Sequence, residues 1–249
     1  MSNTATVLAF DFGASSGRAI RAVYDGQNLN YEEIHRFENI PIEKDGHLCW
    51  DVETLLKEIH TAIQKAGTFD SLGFDTWGVD FGLLDTDGHL LANPVHYRDA
   101  RTNGKPEQAA ARMPAEELYA HTGNQIMVIN TLFQLLALRE QDPELLQKAA
   151  QILFMPDLFA ALLGAEPVCE RSIASTSQML DPRTGQWSRE VLAAYGLNAN
   201  RFAPLVASGT VTGTLANGAK IIAVAGHDTQ CASAAMPCAE EDAEHTAFL

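Results

Sequence analysis

Three short apolar runs open the chain, over residues 6–10, 18–24 and 31–37, with Gly13, Gly17 and the Asp25-Gly26 pair falling between them. Runs of this length bounded by turn residues predict strands. A parallel crossover needs about a dozen residues or more, so strands separated by such short gaps are expected to pair antiparallel. The pattern then changes period. Val52, Leu55, Leu56, Ile59, Ala62 and Ile63 recur at helical spacing and predict an amphipathic helix over residues 51–65. Residues 72–74 predict a brief strand, and residues 79–84 another between Gly78 and the turn Asp87-Gly88. The first third therefore reads as a three-stranded meander, a helix and further strands in one mixed sheet.

The middle of the chain is helical in pattern. Residues 105–112, 115–121, 131–139 and 143–150 predict four helices separated by Pro, Gly and Asn, with Thr131 as an N-cap and Pro143 in a first turn. Residues 188–195 predict another helix. A strand region is expected at 206–214 and a buried strand at 221–225, which leads through Gly226 into a helix of small residues. The most apolar stretch, residues 152–164, is broken by Pro156 and Asp157, so no membrane-spanning helix is expected.

Composition narrows the function classes. With 46% apolar and 20% charged residues, the 249 residues can build a packed core. A formal charge of −15 argues against nucleic acid or an anionic membrane as partner. The four cysteines, Cys49, Cys169, Cys231 and Cys238, have neither CxxC nor CxxH spacing and read as reduced thiols of a cytoplasmic protein. Residues 1–6 show no secretory signal. The tail is acidic at Glu240, Glu241, Asp242 and Glu244 and stops after the apolar Phe248-Leu249, an ending that looks like a truncation.

Four places could carry chemistry. Neither GxxxxGK[ST] nor a GxGxxG opening a helix is present. Instead, residues 11–18 read Asp-Phe-Gly-Ala-Ser-Ser-Gly-Arg at the first hairpin. Small residues there let backbone N–H groups approach an oxyanion, and the strand-end carboxylate of Asp11 suits a hydrated Mg²⁺; a plain Gly/Ser turn capped by an Asp reads equally well. In the second cluster Asp75 and Asp80 flank Trp77 and Gly78, a set able to bind vicinal hydroxyls and stack on a sugar, or simply a turn around a half-buried Trp. The third, residues 97–104, holds Arg98, Asp99 and Arg101, either a solvated ion-pair loop or an Arg fork for hydroxyls or phosphate. The fourth is His227-Asp228-Thr229 at the end of the expected buried strand. An Asp there can take the proton of a hydroxyl attacking phosphorus, with Thr229 orienting it, or can merely cap a helix.

In this order and spacing the clusters resemble the FGGY carbohydrate kinases, over essentially the whole chain. Further matching stretches are Glu33-Ile34-His35-Arg36-Phe37, Trp50-Asp51-Val52, Asn130-Thr131-Leu132 and Met155-Pro156-Asp157. Within the family the chain is most similar to the rhamnulokinase branch, while Ser175-Thr176-Ser177-Gln178-Met179-Leu180 also looks like L-fuculokinases. The resemblance implies an α/β, actin-like (ribonuclease H-like) domain. It implies transfer of the γ-phosphoryl group of ATP, with Mg²⁺, to a primary hydroxyl of a ketose, L-rhamnulose by preference and L-fuculose or a related ketose as the alternative. Carried over by position, Asp228 is the proton acceptor. His227 and Thr229 line the sugar with Gly78; Ala14, Ser15, Ser16, Gly17 and Arg18 face the nucleotide phosphates; Asp11 lies near the metal. Trp77, Asp80 and Arg98 are added as sugar-binding candidates from their chemistry alone.

Family members have a second actin-like domain that completes the cleft, so residues 1–249 are expected to be the N-terminal, sugar-binding half, with the nucleotide-side domain missing and activity absent in isolation. Two rival readings remain. One is a sugar-binding module without phosphotransfer. The other is a metal-dependent phosphohydrolase on the same scaffold, which would need Asp11, Asp80 and Asp228 on one metal.

Overall fold

The computed structural model describes residues 4–246. Phe248 and Leu249 lie outside them. The chain opens with β1 (Ala5–Phe12), β2 (Ser16–Tyr24) and β3 (Leu29–Glu38), a small hairpin of β4 (Ile42–Lys44) and β5 (His47–Cys49), then α1 (Val52–Ala66), β6 (Ser71–Thr76) and β7 (Phe81–Leu84). A helical stretch follows: α2 (Lys105–Ala110), α3 (Ala115–Thr122), α4 (Thr131–Gln141) and α5 (Pro143–Lys148). The last part alternates β8 (Gln151–Phe154), α6 (Met155–Leu162), β9 (Cys169–Glu170), α7 (Arg171–Ser175), the β10–β11 hairpin (Leu180–Asp181 and Gln186–Trp187) and α8 (Arg189–Tyr195). It ends with β12 (Leu205–Val206), β13 (Thr210–Thr214), β14 (Lys220–Ala223) and α9 (Asp228–Ala234). Among the described residues, no helix is long and apolar enough to cross a membrane.

Six strands form one mixed sheet in the order β13-β14-β6-β1-β2-β3. The meander β1-β2-β3 is antiparallel, β6 runs parallel to β1, β14 runs parallel to β6, and β13 closes the edge antiparallel. Alternation along β1 sends Leu8, Phe10 and Phe12 into the core and leaves Asp11 on the opposite face. Phe12 stacks on Phe159 of α6 at 4.9 Å and Phe10 on Phe74 of β6 at 4.8 Å. Helix α1 begins where the Asp51 carboxylate accepts the Thr54 N–H at 3.2 Å and buries Val52, Leu55, Ile59, Ala62 and Ala66.

Two expectations need correction. Residues 81–84 do not join the main sheet: β7 pairs antiparallel with β8 in a ladder of its own. Val79, at φ 69°, breaks the extended backbone after β6 and redirects the chain before β7 starts. The apolar stretch at 152–164 does break near Pro156: it is β8 followed by α6, with Pro156 in the first turn, where no N–H is required. Thr131 does not cap α4. Asn130 holds the cap position without a side-chain bond, while the Thr131 hydroxyl donates to the Val79 carbonyl at 2.6 Å.

Candidate active site

The parallel strands β1, β6 and β14 deliver their C-terminal ends to one place, the usual position for polar chemistry in an α/β sheet. Asp11 and Asp75 face each other in register across β1 and β6. The next residue, Thr76, bridges to His227, and its N–H donates to the Gly226 carbonyl at 2.9 Å. Asp228 follows as the first residue of α9. Burial pushes the Asp75 carboxyl up to about 7; the charges of Asp11 and Asp228 add to the rise and Arg18 opposes it. The carboxylate that accompanies Asp11 and Asp228 is therefore Asp75, not the Asp80 anticipated for a three-acid metal site.

Asp228 is not the helix cap. His227 occupies that position, and Asp228 keeps a side chain 43% exposed. One carboxylate oxygen, Oδ1, accepts the Thr229 N–H at 2.6 Å and its hydroxyl at 3.2 Å, and His227 Nε2 lies 3.4 Å from it. Thr229 thus holds one oxygen of Asp228 through two contacts. Burial lowers the His227 pKa against the pull of Asp228 and Glu170.

Beside this pair opens a cavity of about 390 Å³, lined by Trp77, Gly78, Val79, Tyr97, Thr176 and His227, with its remaining wall from Ser175 and the segment 124–130. Space at Gly78 is tight: a Cβ there would sit 3.0 Å from Thr176 Cγ2 and 3.3 Å from His227 Nε2. Trp77 lines the cavity with its indole packed at a tilt against Trp50, ring centroids 3.9 Å apart. Asp80 does not reach the cavity. It is 1% exposed, and its oxygens accept the indole N–H of Trp50 (2.6 Å) and of Trp77 (3.1 Å), the Tyr97 amide (3.1 Å) and the Gln134 side chain (2.8 Å). Arg98 is also outside: it is exposed, with its guanidinium 5.4 Å from the Tyr97 ring centroid. Tyr97, Thr176 and the segment 124–130 are lining residues that the sequence pattern did not single out for this role.

The first hairpin supplies the other side of the strand ends. Gly13 N–H donates to Ser16 O at 2.9 Å and closes the turn, with Ser15 exposed at its tip. Arg18 Nη2 lies 2.6 Å from Asp11 Oδ2 and its Nε 2.8 Å from the same oxygen, which leaves Oδ1 for another ligand. Gly17 owes its size to packing, because a Cβ would run into the Phe37 ring. The neighbouring thiol is not a nucleophile: burial and the surrounding carboxylates push Cys231 up to about 12.

Glu170 is a buried member of the site that the sequence did not reveal. Its Oε2 accepts the Gly226 N–H at 3.0 Å together with the Ser172 and Ile173 amides of α7, and Ser172 Oγ in turn accepts the His227 N–H at 3.4 Å. This buried carboxylate fixes the turn that presents His227 and Asp228.

Residues 6–234 match the FGGY family of carbohydrate kinases, N-terminal domain. The chain belongs to this family. It is 40% identical to a rhamnulokinase from Bacteroides thetaiotaomicron over 94% of its own length and 51% of that protein's. Its fold is shared with a gluconate kinase from Lactobacillus acidophilus (TM-score 0.77, 17% identity, 89% of this chain and 48% of that one). A carbohydrate kinase from Novosphingobium aromaticivorans superposes equally well (TM-score 0.77, 21% identity, 94% and 50%). The chain is thus an FGGY N-terminal domain of actin-like α/β fold, spanning about half the length of the relatives it matches.

Proposed function

We propose that residues 1–249 are the sugar-binding, base-bearing N-terminal domain of a cytoplasmic ATP-dependent ketose kinase that phosphorylates a primary hydroxyl, L-rhamnulose being the preferred acceptor. The likeness to a rhamnulokinase supports that sugar; L-fuculose or a related ketose is the alternative. The observation that carries the reading is Asp228, a partly exposed carboxylate beside the cavity-lining His227 and outside the N-cap position of α9.

In this reading the ketose lies against Trp77 and Gly78, and Asp228 accepts the proton of the attacking hydroxyl. His227, whose basicity burial lowers, orients the sugar. Residues 14–18 meet the phosphates of ATP, with Arg18 near enough to share its charge between them and Asp11. The donor set fits Mg²⁺, since Asp11 Oδ1 is a hard oxygen at a strand end; when bound, the metal neutralises phosphate charge. Phosphoryl transfer depends on positioning from both sides of the transferred group, so a second domain of roughly 200 residues is expected to close the cleft.

The test is ADP release by the full-length protein with L-rhamnulose and L-fuculose. Asp228→Asn should leave ketose affinity within a few-fold and lower kcat by ~10²–10⁴, the usual contribution of a placed general base. Near wild-type turnover in that variant would remove Asp228 from the mechanism.

A further inference from the structure

Among the described residues, left-handed backbone outside glycine occurs at Asp45 (φ 53°), Val79 (φ 69°) and Gln178 (φ 65°). Asp45 sits in an exposed hairpin turn, where that conformation is ordinary. The other two are buried: Val79 lines the cavity, and Gln178 bonds to Asn124 and Asn130 of its wall from behind. A β-branched or long side chain adopts this region only where its surroundings over-determine it, and such residues gather at functional sites. Val79 is held by the Thr176 hydroxyl on its N–H (3.0 Å) and by the Thr131 hydroxyl on its carbonyl (2.6 Å).

Gln178 is wholly buried behind the cavity wall. Its Nε2 donates to Thr122 Oγ1 at 2.7 Å and to the Asn124 carbonyl at 3.0 Å, while its Oε1 accepts from Asn130 Nδ2. Those contacts bracket the segment 124–130, which has no helix or strand ladder of its own and carries Met127 and Ile129 into the cavity lining. Gln134 fastens the far end, donating to the Ile129 carbonyl at 2.9 Å. Two donors and one acceptor on a single side chain are demanded at position 178. A Glu lacks the donors, a Met lacks everything polar, and an Asn is shorter by a methylene.

We propose that Gln178 is a positioning residue that sets the wall 124–130, and through it which ketoses the cavity admits. This rests on the ketose reading of the cavity. Chain length and the terminal group of the sugar are what such a wall, with Met127 and Ile129 on it, reads.

The test uses the full-length protein, with Gln178→Met to keep volume while deleting every hydrogen bond, and Thr122→Val to remove one acceptor away from the cavity. Hydrogen exchange should show amides of residues 123–130 opening at least ~10-fold faster in Gln178→Met, since three buried hydrogen bonds are lost and one alone is on the scale of that factor, with β1 and β6 unchanged. Calorimetry should show the preference for six-carbon L-rhamnulose over five-carbon L-ribulose falling by a similar factor, and Thr122→Val shifting both readouts less in the same direction. Unchanged exchange in the segment, or an unchanged sugar ratio in a folded Gln178→Met, overturns the proposal. Should Gln178→Met melt globally, a null result in Thr122→Val overturns it instead. A wild-type protein that binds neither ketose defeats the ketose reading, and the exchange data still decide whether Gln178 holds the wall.

Discussion

Glu170 Oε2 accepts the backbone N–H of Gly226 at 3.0 Å, so a carboxylate buried to 1% exposure governs the turn immediately before His227 and Asp228. The same oxygen accepts two α7 amides and the Ser172 hydroxyl, while Oε1 accepts the Ser208 hydroxyl at 2.7 Å. Glu170→Gln can keep its oxygen at the crowded position and turn its NH₂ toward Ser208, whose hydroxyl also accepts. Glu170→Met leaves several buried donors unmet, at about 1–3 kcal/mol each as an upper scale. In the full-length protein, Gln should hold kcat and the melting temperature near wild type, whereas Met should lower both, kcat falling more than ketose affinity. A fully active, stable Glu170→Met would show that this contact does not position Asp228.

Asp80 ties Trp50 and Trp77 together from behind the cavity, which moves its expected role from touching hydroxyls to holding Trp77. Burial pushes its carboxyl up to about 6, against the lowering effect of the Trp50, Gln134, Trp77 and Tyr97 donors. The folded state therefore binds this proton more tightly than the unfolded chain does. Its ionisation cost is absent below about pH 4, grows as pH rises towards 6 and is complete above that, on the order of 3 kcal/mol. Melting measured from pH 4 to 7 should show wild type losing stability with rising pH relative to Asp80→Asn. Other shifted carboxyls, Asp75 among them, are present in both proteins and cancel in the difference. Parallel pH profiles would remove Asp80 as the source. Asp80→Ala should also weaken ketose binding through Trp77 by about tenfold, the scale of a buried hydrogen bond left unmade.

Gly78→Ala probes the closest approach of backbone to the cavity. Gly78 lies outside the left-handed region, so Ala suffers no backbone strain, but its methyl presses on Thr176 at 3.0 Å and on His227 at 3.3 Å. The neighbours can yield by tenths of an ångström only by shifting cavity-lining atoms. Ketose affinity should therefore drop by roughly tenfold while stability changes by about 1 kcal/mol or less, since a single methyl is being accommodated rather than a core overfilled. Calorimetry beside thermal melting separates the two. Equal ketose affinity in Gly78→Ala would mean that the sugar does not approach this face.

What the sequence makes legible is what it stores locally. The meander, α1 and the turn at His227-Asp228-Thr229 follow from runs, periods and turn residues a few positions apart. The ladder of β7 with β8 is invisible in pattern, because all four residues of β7 are buried and their partners begin at Gln151. Glu170 and Gln178 are hidden for a related reason. Their decisive contacts lie 56 and 48 residues away, to Gly226 and Asn130, and a buried Glu or Gln carries no mark of its own in sequence. Among the carboxylates, pairing register decides: Asp75 sits opposite Asp11, whereas Asp80 falls beyond the end of β6 and turns under the two tryptophans.

The 249-residue chain by itself should fold, bind the ketose and fail to turn over. One apolar cluster joins the main sheet to α1 and α6, a second packs the helices α2 to α4 against α8, and Trp187 packs against both, which gives the chain enough buried core to stand alone; domains of about 50–250 residues commonly do. The cavity is built wholly from this chain, and Asp228 stands beside it. In the proposed reading the nucleotide would meet only the first hairpin of this chain, and the rhamnulokinase relative has about as much length again outside the match. Without an opposing wall, the γ-phosphorus is not aligned with the sugar hydroxyl and water is not excluded, the two conditions on which transfer depends most. Expected results are a cooperative melt, measurable ketose binding by calorimetry and no sugar-dependent ADP release. Turnover by the isolated chain that disappears with Asp228→Asn would show the site to be complete without a second domain.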